Sequence, residues 1–133
     1  KRRCMMAETE KITINMNVVD LGKVDLLVEQ GFYSNRTDFI KTAIRNQLTT
    51  HSDEVNQMIV NKSFVIGICR YNRKSLQEII QNNVKLDIKV IGMLILEEDI
   101  DTDLALKTIN SIKVYGVLKI KNYNLKKTIQ QFM

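Results

Sequence analysis

The sequence predicts an α/β chain in two parts. A short N-terminal part holds one strand and two helices, and a C-terminal part holds three repeated strand–helix units. Three observations carry this. The run KITINMN alternates strictly and is followed at once by two helix-spaced stretches. A glycine-centred apolar pentad returns three times at nearly equal spacing. A more polar, less patterned stretch, TTHSDEVNQMIVNK, lies between them.

In the N-terminal part, Ile12, Ile14 and Met16 fall on one face of the alternating run, and Lys11, Thr13, Asn15 and Asn17 on the other. Period two is the pattern of a half-buried strand. Leu21, Val24, Leu27 and Val28 then recur at helical spacing up to Gly31, a residue suited to the left-handed position that ends a helix. A second helix starts after Ser34-Asn35, where Asn35 with Asp38 reads as a variant capping box. Phe39, Ile40, Ala43, Ile44 and Leu48 form its apolar stripe.

One strand has nothing to pair with, and a module this short buries too little surface to stand alone. It therefore requires a second copy of the chain, pairing through residues 12–16 into a two-stranded antiparallel ribbon backed by four helices. The ribbon's outer face then presents Lys11, Thr13 and Asn15. Such a ribbon fits the major groove of B-DNA, and these side chains suit base edges.

Residues 11–48, and especially GFYSNRTDFIKTAIRNQL, resemble the ribbon-helix-helix DNA-binding domain of the Arc, MetJ and CopG repressor superfamily. The resemblance implies a homodimeric, sequence-specific regulator of transcription, a repressor, bound to double-stranded DNA. It assigns base contacts to Lys11, Thr13 and Asn15, and phosphate contacts to Ser34, Asn35 and Arg36. Physical chemistry agrees on the second group, because a helix start offers free N–H groups and a positive dipole end to an anion. Nickel-responsive relatives carry several histidines and a cysteine in their second domain. Here His51 is the only histidine, so no metal is expected.

In the C-terminal part, Val65-Ile66-Gly67-Ile68-Cys69 returns as Val90-Ile91-Gly92-Met93-Leu94 and as Val114-Tyr115-Gly116-Val117-Leu118. Each run precedes an expected helix: Lys74 to Gln81, Thr102 to Ile112, and Asn124 to Phe132. Strand plus helix at this period fits a leucine-rich-type repeat or three βα units of a small parallel sheet. Glycine inside each strand points to a bend or a close backbone approach. The alternative is a ferredoxin-like regulatory fold, as in other two-domain members of the superfamily.

The expected organisation is thus a tail over 1–10, a ribbon-helix-helix domain over 11–50, a linker or helix extension over 51–62, and an α/β domain over 63–133. That last domain is expected to oligomerise the protein further or to sense an effector whose identity the sequence leaves open. Lys1, Arg2 and Arg3 are available to DNA phosphates as an arm, although a frayed terminus is the simpler reading.

Composition sets the remaining bounds. Of 133 residues, 44% are hydrophobic and 26% charged, and proline is absent, as in an ordinary water-soluble domain. Net charge is +5 but is spread over both parts, so affinity for DNA must come from arrangement rather than bulk charge. No apolar run approaches membrane-spanning length. No secretory signal stands out, and the two cysteines, Cys4 and Cys69, form no CxxC pair, so a reduced, cytoplasmic setting is expected.

The carboxylates of Glu97 to Asp103 resemble the start of a calcium loop. They lack its glycine and its final glutamate, and they suit the capping of a following helix. Lys126 and Lys127 suit a helix end. No nucleophile elbow, phosphate-binding loop or histidine-based triad is present, so no catalytic residue, cofactor or enzymatic activity is expected. The other surviving class is an antitoxin-like interaction module that also binds its own operator. Such proteins usually carry short disordered tails, whereas residues 63–133 are rich in periodic apolar units.

Overall fold

The computed structural model describes residues 9–132. The expected roles of Lys1, Arg2, Arg3 and Cys4 fall outside them. The described residues divide into two compact units, one of residues 11–61 and one of residues 9–10 and 62–132.

The first unit holds α1 (Val18–Glu29), α2 (Arg36–Thr50) and most of α3 (Ser52–Lys62). Asn17 caps α1, its side chain accepting from the N–H groups of Val19 and Asp20. The helix ends in a Schellman arrangement. Gly31 has φ +88°, its N–H donates to the Val28 carbonyl, and the Phe32 N–H donates to the Leu27 carbonyl. The segment expected as a linker or helix extension, 51–62, is helical: α3 follows α2 directly, with only His51 breaking the run. Residues 11–16 form no strand, because a single chain offers them no ladder. Val24 is the only buried residue of this unit, while Val18, Val19, Leu26, Phe32, Ile44 and Leu48 are exposed.

The second unit runs β1 (Val65–Tyr71), α4 (Arg73–Gln81), β2 (Leu86–Leu96), α5 (Thr102–Thr108), β3 (Ile109–Ile120) and α6 (Tyr123–Ile129), closed by a 3-10 turn at Gln130–Phe132. The strands form one parallel sheet in the order β1-β2-β3. A parallel neighbour needs a crossover, so every strand is followed by a helix. This order differs from the ferredoxin-like alternative. A ferredoxin-like fold needs two strands in direct succession, and none occur here.

One boundary differs from expectation. The helix expected over 102–112 stops at Thr108, and Ile109 to Ile112 open β3 instead. The stretch LALKTINSI has helical spacing, but Ile109 and Ile112 pair with Leu86 and Ile88 and are buried there. Tertiary pairing overrides local propensity.

Alternate residues of the strands point at the helices. Cys69, Ile88, Val90, Leu94, Leu96 and Ile112 join Leu76 of α4, Leu104 and Ala105 of α5, and Leu125 and Ile129 of α6 in one core. Side chains at the strand ends start each helix. Asn72 forms a capping box with Ser75, Asp101 accepts from the Leu104 N–H at 2.8 Å, and Asn122 accepts from the N–H groups of Asn124 and Leu125. The carboxylates before α5 are used in this way and in holding Arg73. The Arg73 N–H donates to Asp99 Oδ1 at 3.0 Å, and its guanidinium to Asp101 Oδ2 at 3.1 Å. Lys126 and Lys127 occupy the last turn of α6.

The three repeat glycines stand side by side, Gly67 against Gly92 and Gly92 against Gly116. All have positive φ, between +124° and +136°. A Cβ on Gly92 would collide with the Gly67 carbonyl, and one on Gly116 with the Gly92 carbonyl. Among the described residues, a Cβ on Gly67 meets nothing, because β1 is the edge of the sheet on that side.

Gly67→Ala should therefore cost only the backbone strain of its φ, about 1–3 kcal/mol. Gly92→Ala and Gly116→Ala should cost clearly more, because rigid backbone must move as well. Denaturant unfolding followed by circular dichroism checks this, and equal losses at all three positions would refute it.

At the far end of the sheet, Glu97 accepts from Lys121 Nζ at 3.0 Å and from Arg70 Nη1 at 2.8 Å, tying the ends of all three strands. The Lys121 hydrogen bond, with both positive charges, holds its carboxyl below the ordinary value of 4.5. With a folded value below the unfolded one, the stabilisation is complete above the unfolded value and is lost as pH falls through the folded one. Glu97→Gln should therefore cost about 0.5–1 kcal/mol at neutral pH. It should also lose less stability than the parent between about pH 6 and pH 3. Parallel acid-side stability curves for the two proteins would contradict this.

Candidate nucleic-acid interface

Two clusters of sequence-predicted contact residues lie in the first unit. Lys11, Thr13 and Asn15 are all exposed. The intervening Ile12 and Ile14 are equally bare, at 77% and 65% exposure, and Met16 is half-buried. Asn17, which shares the polar parity of the run, is committed to capping α1. The presenting segment thus ends at Met16.

The second cluster is the start of α2. The Asn35 side chain accepts from the Asp38 N–H at 2.8 Å, and Asp38 Oδ2 accepts in return from the Ser34 N–H at 3.0 Å. This is the capping-box reciprocity shifted one residue outward. Tyr33 packs edge-on against Phe39, with ring centroids 5.0 Å apart, and fixes the angle at which the chain enters the helix. Among the described residues, the N–H groups of Arg36 and Thr37 have no partner, as expected for the first turn of a helix.

Arg36 has a partner that sequence reasoning missed. Its guanidinium grips Asp25 of α1 with two hydrogen bonds, from Nε at 2.7 Å and Nη2 at 2.9 Å. Arg36 holds the Asp25 carboxyl below its ordinary range, mainly through this hydrogen bond. The pair ties α1 to the start of α2, and both side chains remain about half exposed. Nothing in the sequence marks Asp25 rather than Asp20 or Glu29 as the partner. The choice depends on the turn that brings the two helices together. A phosphate here would meet an arginine already oriented, its charge partly balanced by Asp25.

No group of three or more potential metal ligands clusters among the described residues, and no helix is long and apolar enough to cross a membrane.

Comparison with curated proteins and with solved structures gave no match. The family described as ribbon-helix-helix transcriptional regulators matches residues 7–124, a span that covers the first unit, most of the second and all of the contact residues named above. The chain belongs to the ribbon-helix-helix transcriptional regulator family.

Proposed function

We propose that the protein is a homodimeric, sequence-specific repressor that reads the major groove with a β-ribbon built from residues 11–16 of two chains. The observation that carries this is the exposure of Ile12 and Ile14 in a unit with a single buried residue. Pairing two such segments removes those side chains from water, at about 25 cal/mol per Å² of apolar surface buried. It leaves Lys11, Thr13 and Asn15 on the opposite face for bases. Ser34, Asn35 and Arg36 then hold the backbone, through the open N–H groups of the first turn of α2 and the guanidinium positioned by Asp25. This role is one of binding and not of catalysis. The antitoxin-like alternative has less support, because residues 65–129 form a sheet with a continuous core rather than a tail that folds on a partner.

Ile14→Asp should abolish both association and folding of the N-terminal unit, since the ribbon would bury an unpaired charge contributed by both chains. Light scattering together with circular dichroism reads this, and a folded monomer would sink the proposal.

Thr13→Ala and Asn15→Ala should each cost about 1–3 kcal/mol on a site selected from a random-sequence library, with little effect on unrelated DNA. Arg36→Ala should weaken binding to both and reduce the salt slope by about one charge. Asp25→Ala should leave the slope unchanged, because it removes the group that orients Arg36 and not the contact itself. Fluorescence anisotropy at several salt concentrations separates these outcomes. Failure of the library to yield a preferred sequence would reject base reading by the ribbon.

A further inference from the structure

We infer that the corner of the C-terminal sheet formed by Lys62, Phe64, Lys89, Lys113 and Tyr115 binds a phosphate group carried by a planar ring, the chemistry of a nucleotide. These side chains surround a depression of about 340 Å³, with Ser111 also in its wall. That volume lies within the range of small-ligand pockets.

Three features point to such a ligand. The first is a pair of like charges set side by side. Lys89 and Lys113 are register partners on adjacent strands, an arrangement that costs stability. Lys62 at the end of α3 adds a third positive charge. None of the three forms an ion pair among the described residues. The second is the state of Asp87, the carboxylate two residues from Lys89. It accepts from Ser111 Oγ at 2.7 Å and Asn110 Nδ2 at 2.9 Å, so these neutral donors hold its side chain in place of an ion pair with either lysine, although its charge still acts on Lys89.

The third is an aromatic surface within the same cluster. Phe64 and Tyr115 lie with ring centroids 5.5 Å apart, tilted by 50°, and Lys113 Nζ lies 5.5 Å from the Tyr115 centroid. Tyr115 is 53% exposed. A planar ring stacks on such a surface whatever its base identity, while an adjacent phosphate takes the lysines. An anion without a ring leaves the aromatic pair unused, and a ring without a phosphate leaves the lysines unpaired.

The site lies wholly within the C-terminal unit and does not depend on base reading by the ribbon. The same chemistry comes from a free nucleotide or from one nucleotide of an unpaired strand. Isothermal titration of the full chain with ATP, GTP, adenosine, pyrophosphate and a short single-stranded oligoadenylate distinguishes these sources.

A nucleotide or the oligonucleotide should bind saturably, at least about tenfold tighter than adenosine or pyrophosphate. Lys113→Gln and Tyr115→Ala should each weaken that binding by about tenfold, and Tyr115→Phe should retain it. Lys113→Gln should also raise the melting temperature of the ligand-free protein by relieving the Lys89 repulsion, which separates lost recognition from lost folding. Binding of ATP or GTP identifies a free nucleotide as the source, and binding of the oligonucleotide alone identifies an unpaired strand. The inference is overturned if no nucleotide or oligonucleotide binds below about 1 mM. It is equally overturned if Lys113→Gln binds like the parent, or if pyrophosphate binds as tightly as ATP.

Discussion

The constraint on which the C-terminal unit rests is parallel pairing in unbroken register. Because β2 lies parallel to both neighbours, each strand must return across the sheet before the next begins. This single requirement places a helix after every strand and sets the spacing of the repeat. It also gathers Leu76, Leu104, Ala105, Leu125 and Ile129 into one core over one face. It puts Asn72, Asp101 and Asn122 where each chain leaves the sheet, so a strand end and a helix cap are the same few residues. Among the described residues of this unit, no helix packs on the opposite face, which carries Ile66, Ile68, Ile91, Met93, Tyr115 and Val117. Only Met93 of these is fully shielded, by its place in the central strand.

The N-terminal unit obeys a different constraint. Its caps are well made, at Asn17, Gly31 and Asn35, yet its interior amounts to Val24. Local hydrogen bonding therefore defines the helices, while the apolar surface needed to hold them together is still in contact with water. For a segment of this length tertiary packing, and not helix propensity, supplies most of the stability. The Asp25–Arg36 pair joins the two helices but remains half exposed, so it orients them more than it stabilises them.

What could be read from the sequence was whatever is decided within a few residues. Gly31 marked its helix end because only a left-handed residue closes that motif. Asn35 and Asp38 marked the start of α2 because capping is a contact across three positions. The three glycine pentads revealed their common register because parallel units repeat in sequence as they do in space. The rest depended on distant partners. Ile109 to Ile112 look helical until β2 lies beside them, and Arg36 looks free for phosphate until the turn at Gly31 brings Asp25 to it. Lys89 and Lys113 held the same place in the repeat, but only the parallel pairing of β2 and β3 made them neighbours. The alternation of residues 11–16 was legible as a pattern, but a strand forms only where a second ladder exists to receive it.

The glycine row also has a direction, and it makes the two edges of the sheet unequal. Gly92 and Gly116 are each required by the carbonyl of the strand before, never by the strand after. Lengthening the sheet beyond β3 would demand a further glycine in the added strand, opposite Gly116. Adding a strand outside β1 would demand nothing new of this chain, because Gly67 already lacks the side chain that would obstruct it. Among the described residues, nothing obstructs the β1 edge at Gly67, and a side chain placed there would.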